Sequence, residues 1–256
     1  MPQHLPHRGR DGVSTLNRPI RHDVRTTGRW LGTGTAFFAT ALERVPDGGF
    51  RAPSGLPGWS RAHVTAHVAR NADALRRLLA WAATGVETPM YADRAQRAAE
   101  IETGAGAPDA ELRADVARTA TQLDAAIAGL PDEAWQAEVR SALGRRIPAA
   151  EVLWMRVREV WLHAVDLDTG ARVAELPGEV VEALLDDVTG AFGSRDGAPQ
   201  LELVAIDRDR AWRVGEASGP VRVSGEAAAL LAWLTGRPGG TGLRSSSGLP
   251  TLPPWL

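Results

Sequence analysis

Glu159 and His163 stand four residues apart in a stretch free of helix breakers. Four residues is slightly more than one helical turn, so both side chains rise from one face and can reach a single cation. They border an apolar stripe of Leu153, Val157, Val160 and Ala164, which places them at the edge of a packed interior. A second inward position is His67, set between Val64, Val68 and Asn71 in another helical repeat. Two imidazoles and one carboxylate form a ligand set used in catalytic zinc sites, where three protein ligands leave a fourth position for water or a substrate atom. A thiolate is a favourable occupant of that position. On spacing alone a plainer reading stays open, because Glu-x-x-x-His pairs arise by chance and a lone inward histidine is usually a hydrogen-bonded core residue. His63 forms a further i,i+4 pair with His67 and could chelate with it; a solvated residue at the helix start is the preferred reading of His63.

Two absences narrow the chemistry. The 256 residues include 0 cysteines, which excludes disulfides, thiolate-bound metals and any protein thiol nucleophile. A thiol, if one is used, comes from a cosubstrate. All 29 basic side chains are arginine, which excludes Schiff-base chemistry and a phosphate-loop lysine. A formal net charge of -2 gives no basic field, so nucleic acid is not the expected partner. No apolar run is long enough to cross a bilayer. Residues 1–28 are rich in Arg, His and Pro without an apolar segment or a small-residue cleavage site, so they read as a solvated tail of a cytoplasmic protein.

The elements that must position the three residues follow from periodicity. Spacings of three and four predict helices over about residues 29–45, 60–83, 110–130 and 148–167, with Ser60 as an N-cap and Pro46, Pro131 and Gly170 as stops. Residues 84–108 read as a long connection with a helical patch at 94–102. Four amphipathic helices of this length favour a four-helix bundle. After Leu176-Pro177-Gly178 the pattern changes to a helix, three short strands near 201–206, 211–214 and 221–223, and a helix over 226–235. The fold class is therefore mainly α followed by a small α+β domain, with boundaries at 29–175 and 176–238. Residues 239–256, rich in Pro, Gly and Ser, read as a tail.

Gly58-Trp59-Ser60 leading into Ala66-His67-Val68-Ala69, together with the run from Arg158 through Glu159, Trp161, His163 and Asp166 to Leu167, resembles the mycothiol-dependent maleylpyruvate isomerase family. Met90-Tyr91 followed by Arg97-Ala98-Ala99-Glu100-Ile101-Glu102 is similar to the same family's inter-helix segment. The resemblance implies a DinB-like bundle holding zinc through His67, Glu159 and His163, joined to a domain similar to sterol-carrier proteins. It also implies an assisting arginine in the C-terminal domain. Leu230 to Arg237 matches that stretch, making Arg237 the candidate; a cation at a helix C-terminus is its plainer alternative.

The implied reaction converts maleylpyruvate to fumarylpyruvate. A cis double bond conjugated to carbonyls rotates once a thiolate has added to it, and reversal of the addition releases the trans isomer. Zinc would keep the thiol of mycothiol deprotonated, and Arg237 would bind a substrate carboxylate or the developing enolate. Asp166 reads either as the partner of a ligand histidine's free ring nitrogen or as a helix-end cap. Tyr91, Arg94 and Arg97 could cover a dianionic substrate, the arginines reading more simply as a solvated loop; Trp59, Trp154 and Trp161 are assigned to packing. The expected partners are a small dicarboxylate and a low-molecular-weight thiol, and the expected state is a monomer. Rival readings are a mycothiol-dependent S-transferase on the same scaffold, a non-catalytic binding module and a purely structural metal site.

Overall fold

The computed structural model describes residues 20–195, 197–216, 219–253 and 255. Most of the N-terminal stretch read as a tail lies outside the described residues. Where description begins, a 3-10 turn (Ile20–His22) leads into α1 (Val24–Glu43). This helix starts before residue 29 because Asp23 caps it, its carboxylate accepting from the Thr26 amide at 2.7 Å.

The bundle is built from α1, α2 (Arg61–Thr84), α4 (Asp109–Ala128) and α5 (Glu151–Asp166), with α1 lying along α5 and α2 along both α4 and α5. The 94–102 patch is a full helix, α3 (Arg94–Ala105), capped by Asp93 and docked on α2. The contact between α1 and α5 is close at Gly34, where an added Cβ would meet Val160 Cγ2 at 2.7 Å and Trp161 Nε1 at 2.6 Å. The Trp161 indole donates across the same contact to the Trp30 carbonyl at 3.1 Å. A hairpin of β1 (Glu138–Arg140) and β2 (Arg146–Pro148) precedes α5, which therefore begins three residues later than periodicity suggests.

Past α5 the chain forms α6 (Gly178–Gly193), β3 (Leu201–Ala205), β4 (Ala211–Val214), β5 (Val221–Gly225) and α7 (Ala227–Leu234). The sheet order is β4-β3-β5, antiparallel between β3 and β4 and parallel between β3 and β5. Strict alternation along β3 puts Leu201, Leu203 and Ala205 on the buried face. Helices α6 and α7 pack against each other and against this sheet. The described part of 239–253 and Trp255 is not a free tail. Arg244 pairs backbone to backbone with Ser224 beside β5, and Trp255 is buried, because the open edge of β5 and the apolar surface next to it need cover.

Candidate metal centre

α2 and α5 bring His67, Glu159 and His163 together. Nε2 of His67 lies 2.9 Å and Nε2 of His163 3.1 Å from the same Glu159 oxygen, Oε2. One donor atom from each of the three residues falls within 4.8 Å of the others. Ligands held about 2.0–2.1 Å from a tetrahedral zinc stand about 3.3 Å apart, so the spacing suits a small divalent ion. The rings of His67 and His163 are 4.9 Å apart and nearly perpendicular, which aims two nitrogens at one point without stacking.

The setting supports the same fit. His67 is buried, while Glu159 and His163 keep partial access to solvent. Burial opposes the charge on Glu159, yet the two imidazoles beside it hold its carboxyl well below the usual range. Burial likewise opposes protonation of His163, but the carboxylates of Asp166 and Glu159 outweigh it and raise the imidazole pKa to about 9. For His67 burial dominates and lowers the value despite Glu159.

Asp166 is not a simple helix cap. Its Oδ2 lies 2.8 Å from His163 Nδ1, the acceptor that fixes the tautomer of a ligating histidine. Arg237 then grips Asp166 with a two-pronged contact, Nε to Oδ1 at 2.9 Å and Nη2 to Oδ2 at 2.7 Å, and gives Nη1 to the Thr235 carbonyl at 3.1 Å. Arg237 thus reaches the centre through Asp166 and His163.

The frame is tied within α5 and just past its C-terminal end. Arg156, fully buried, donates to the Val68 carbonyl at 2.6 Å and to Asn71 Oδ1 at 2.9 Å, which fixes the register of α2 beside α5 next to His67. Burial pulls its pKa down to about 10. At the far end Asp168 adopts a left-handed φ of 53°, and Arg61 donates to the carbonyls of Leu167 and Asp168 at 2.7 and 3.0 Å. Sequence reasoning passed over Arg156, although two signs were present: an arginine three residues before Glu159, and an inward Asn71 that needs a partner.

His63 is spoken for elsewhere. It completes a capping box with Ser60, whose amide donates to His63 Nδ1 at 3.2 Å, and its Nε2 lies 3.3 Å from Glu102. It is half-buried rather than solvated. Trp154 and Trp161 are core residues, but half-exposed Trp59 flanks the centre, its ring 5.5 Å from that of His67. Arg97 also stands there: its guanidinium Nη2 donates to His67 Nδ1 at 3.4 Å. Tyr91 is close by, its phenol pushed up to about 12 by burial, so it stays a neutral hydroxyl at neutral pH. Arg94 is exposed on α3.

The sequence model of the mycothiol maleylpyruvate isomerase N-terminal domain matches residues 31–168, a span that includes all three converging residues. The chain belongs to the mycothiol maleylpyruvate isomerase family. Two solved structures agree with this membership over almost the whole fold: a crystal structure of the mycothiol-dependent maleylpyruvate isomerase and one of a histidine-to-alanine variant of it. Each is 35% identical to this chain, superposes with a TM-score of 0.86, and is matched over 91% of this chain and 98% of its own. No curated protein gives a significant match. Arg237 lies beyond the part matched by the family's N-terminal domain but within the same fold, and among the described residues no helix is long and apolar enough to cross a membrane.

Proposed function

We propose that this member of the family is a zinc- and mycothiol-dependent isomerase that converts maleylpyruvate to fumarylpyruvate. The observation that carries the reading is the meeting of His67, Glu159 and His163 around one point, on the scaffold of a thiol-dependent isomerase family. A divalent ion bound there would supply Lewis acidity that keeps a thiol ionised at neutral pH.

The chain's own residues do the rest. His67, Glu159 and His163 would hold the ion, and a site with three protein ligands would stay open to an exogenous sulfur. Asp166 keeps the proton of His163 on Nδ1, so that Nε2 presents its lone pair to the centre. Arg237 holds Asp166 ionised and oriented. With 0 cysteines the protein has no thiol of its own to add to the conjugated double bond, so the nucleophile is the sulfur of mycothiol. It is released unchanged when the trans product forms. We place the reaction in the cytoplasm and assign the enzyme as a monomer acting on small molecules.

The test is the absorbance change of maleylpyruvate with purified protein and zinc in three arms: mycothiol, glutathione and no thiol. Turnover confined to the mycothiol arm, with no mycothiol consumed, is the expected result. Consumption of mycothiol in proportion to product would instead indicate an S-transferase, and silence in every arm would end the isomerase reading.

A further inference from the structure

Of the arginines beside the centre, three are committed. Arg61 binds the carbonyls at the end of α5, Arg156 binds Val68 and Asn71, and Arg237 binds Asp166. Arg97 differs. It projects from the first turns of α3, is half-buried, and has no carboxylate within ion-pair distance among the described residues; its one side-chain partner there is His67 Nδ1.

That partner is a poor match for a ligand histidine. An imidazole that ligates through Nε2 carries its remaining proton on Nδ1 and gives it to an acceptor, as His163 does to Asp166. A guanidinium has five donors and no acceptor. Arg97 therefore cannot support His67 in the way Asp166 supports His163, and two donors would face each other. A cation held at this place, near the neutral phenol of Tyr91, is matched by an anion from outside the protein.

We propose that Arg97 binds a carboxylate of the substrate at the mouth of the metal centre, and that Arg237 is a positioning residue acting through Asp166. The assignment deepens the isomerase reading and rests on it for the substrate class. A planar guanidinium offers two parallel N–H groups to a carboxylate, a geometry lysine lacks.

The experiment compares wild type, Arg97→Gln and Arg97→Lys as zinc-loaded, full-length protein. Zinc content is measured first, then the Kd of maleate by calorimetry, then KM and kcat for maleylpyruvate at saturating mycothiol. For Arg97→Gln the expected result is a rise in maleate Kd and in KM for maleylpyruvate of roughly ten- to a hundredfold. Zinc content and the KM for mycothiol stay at wild-type values and kcat changes far less than KM. Arg97→Lys should fall between the two. Unchanged maleate Kd and KM in Arg97→Gln, or loss of zinc from it, would overturn the assignment. If wild type fails to turn over maleylpyruvate, the isomerase reading falls, and the maleate titration still decides the anion site: binding lost on Arg97→Gln supports it, and binding that is absent or indifferent to Arg97 overturns it.

Discussion

Nδ1 of His163 stands 2.8 Å from Oδ2 of Asp166, three residues further along α5, and that same oxygen accepts from Arg237 at 2.7 Å. One carboxylate thus serves a histidine from the bundle and an arginine from the C-terminal unit. Burial resists its ionisation, but His163 and Arg237 together hold its pKa below the ordinary aspartate value.

Removing the arginine should expose this dependence. In Arg237→Ala the carboxylate loses both its charge-assisted hydrogen bonds on that side, and His163 loses its fixed orientation. Zinc affinity is expected to fall about ten- to a hundredfold, with zinc still bound when supplied in excess, and kcat should fall by at least about tenfold. Chelator competition followed by turnover at saturating zinc measures both, and an unchanged pair of values would show that Arg237 plays no part.

His67→Ala removes one of the three proposed ligands and should sharply reduce the metal content of protein purified without added zinc. Elemental analysis by mass spectrometry reads this directly. Full occupancy together with full activity in that variant would refute the ligand assignment.

Gly34→Ala tests the helix contact behind the centre. The new methyl would press on Val160 and Trp161, the two residues that follow Glu159. Overpacking of this kind costs about 1–3 kcal/mol. Urea unfolding should show a lower midpoint with an unchanged slope, and zinc affinity should drop with it. A variant as stable as wild type would mean that α1 and α5 separate easily at Gly34.

Asp23 gives a pH-dependent case. The hydrogen bond from the Thr26 amide, ahead of the small opposing effect of burial, lowers its carboxyl pKa below the ordinary value of 3.8. A group whose folded pKa is depressed adds stability above its unfolded value, and that stability is lost as the pH falls through the folded value. Asp23→Ala should therefore cost about 1 kcal/mol at pH 7 as a lost cap. The gap between the two proteins should shrink as the pH drops below 3.8. A gap independent of pH would show that the carboxylate's charge does not contribute.

Much of this is legible in residue order. The spacing of Glu159 and His163 and the apolar neighbours of His67 identify both helix faces, since an i,i+4 pair on a half-apolar helix has few ways to turn. Strands β3 to β5 show through their alternation and flanking turns. Other features depend on contacts that no local pattern encodes. The β1–β2 hairpin has strands of only three residues, too short for a period to register. The bond between Arg237 and Asp166 spans 71 residues, and the link from Arg156 to Val68 spans 88. Asp23 caps a helix whose first turn composition assigns to a tail, because the Arg and Pro residues around it mask the capping signal. The burial of Trp255 at the chain end depends on a surface that only the folded sheet creates.

The left-handed turn at Asp168 bears on how such proteins can be recombined. The match to the family's N-terminal domain ends at this residue, where Arg61 grips the Leu167 and Asp168 carbonyls just past α5. A gene cut here would still encode all three proposed ligands and the clamp that finishes the helix, yet it would leave Asp166 without its guanidinium. Natural or engineered fusions at this joint could therefore exchange the downstream module as a tuning part, altering the reactivity of an inherited ligand set without touching the helices that carry it.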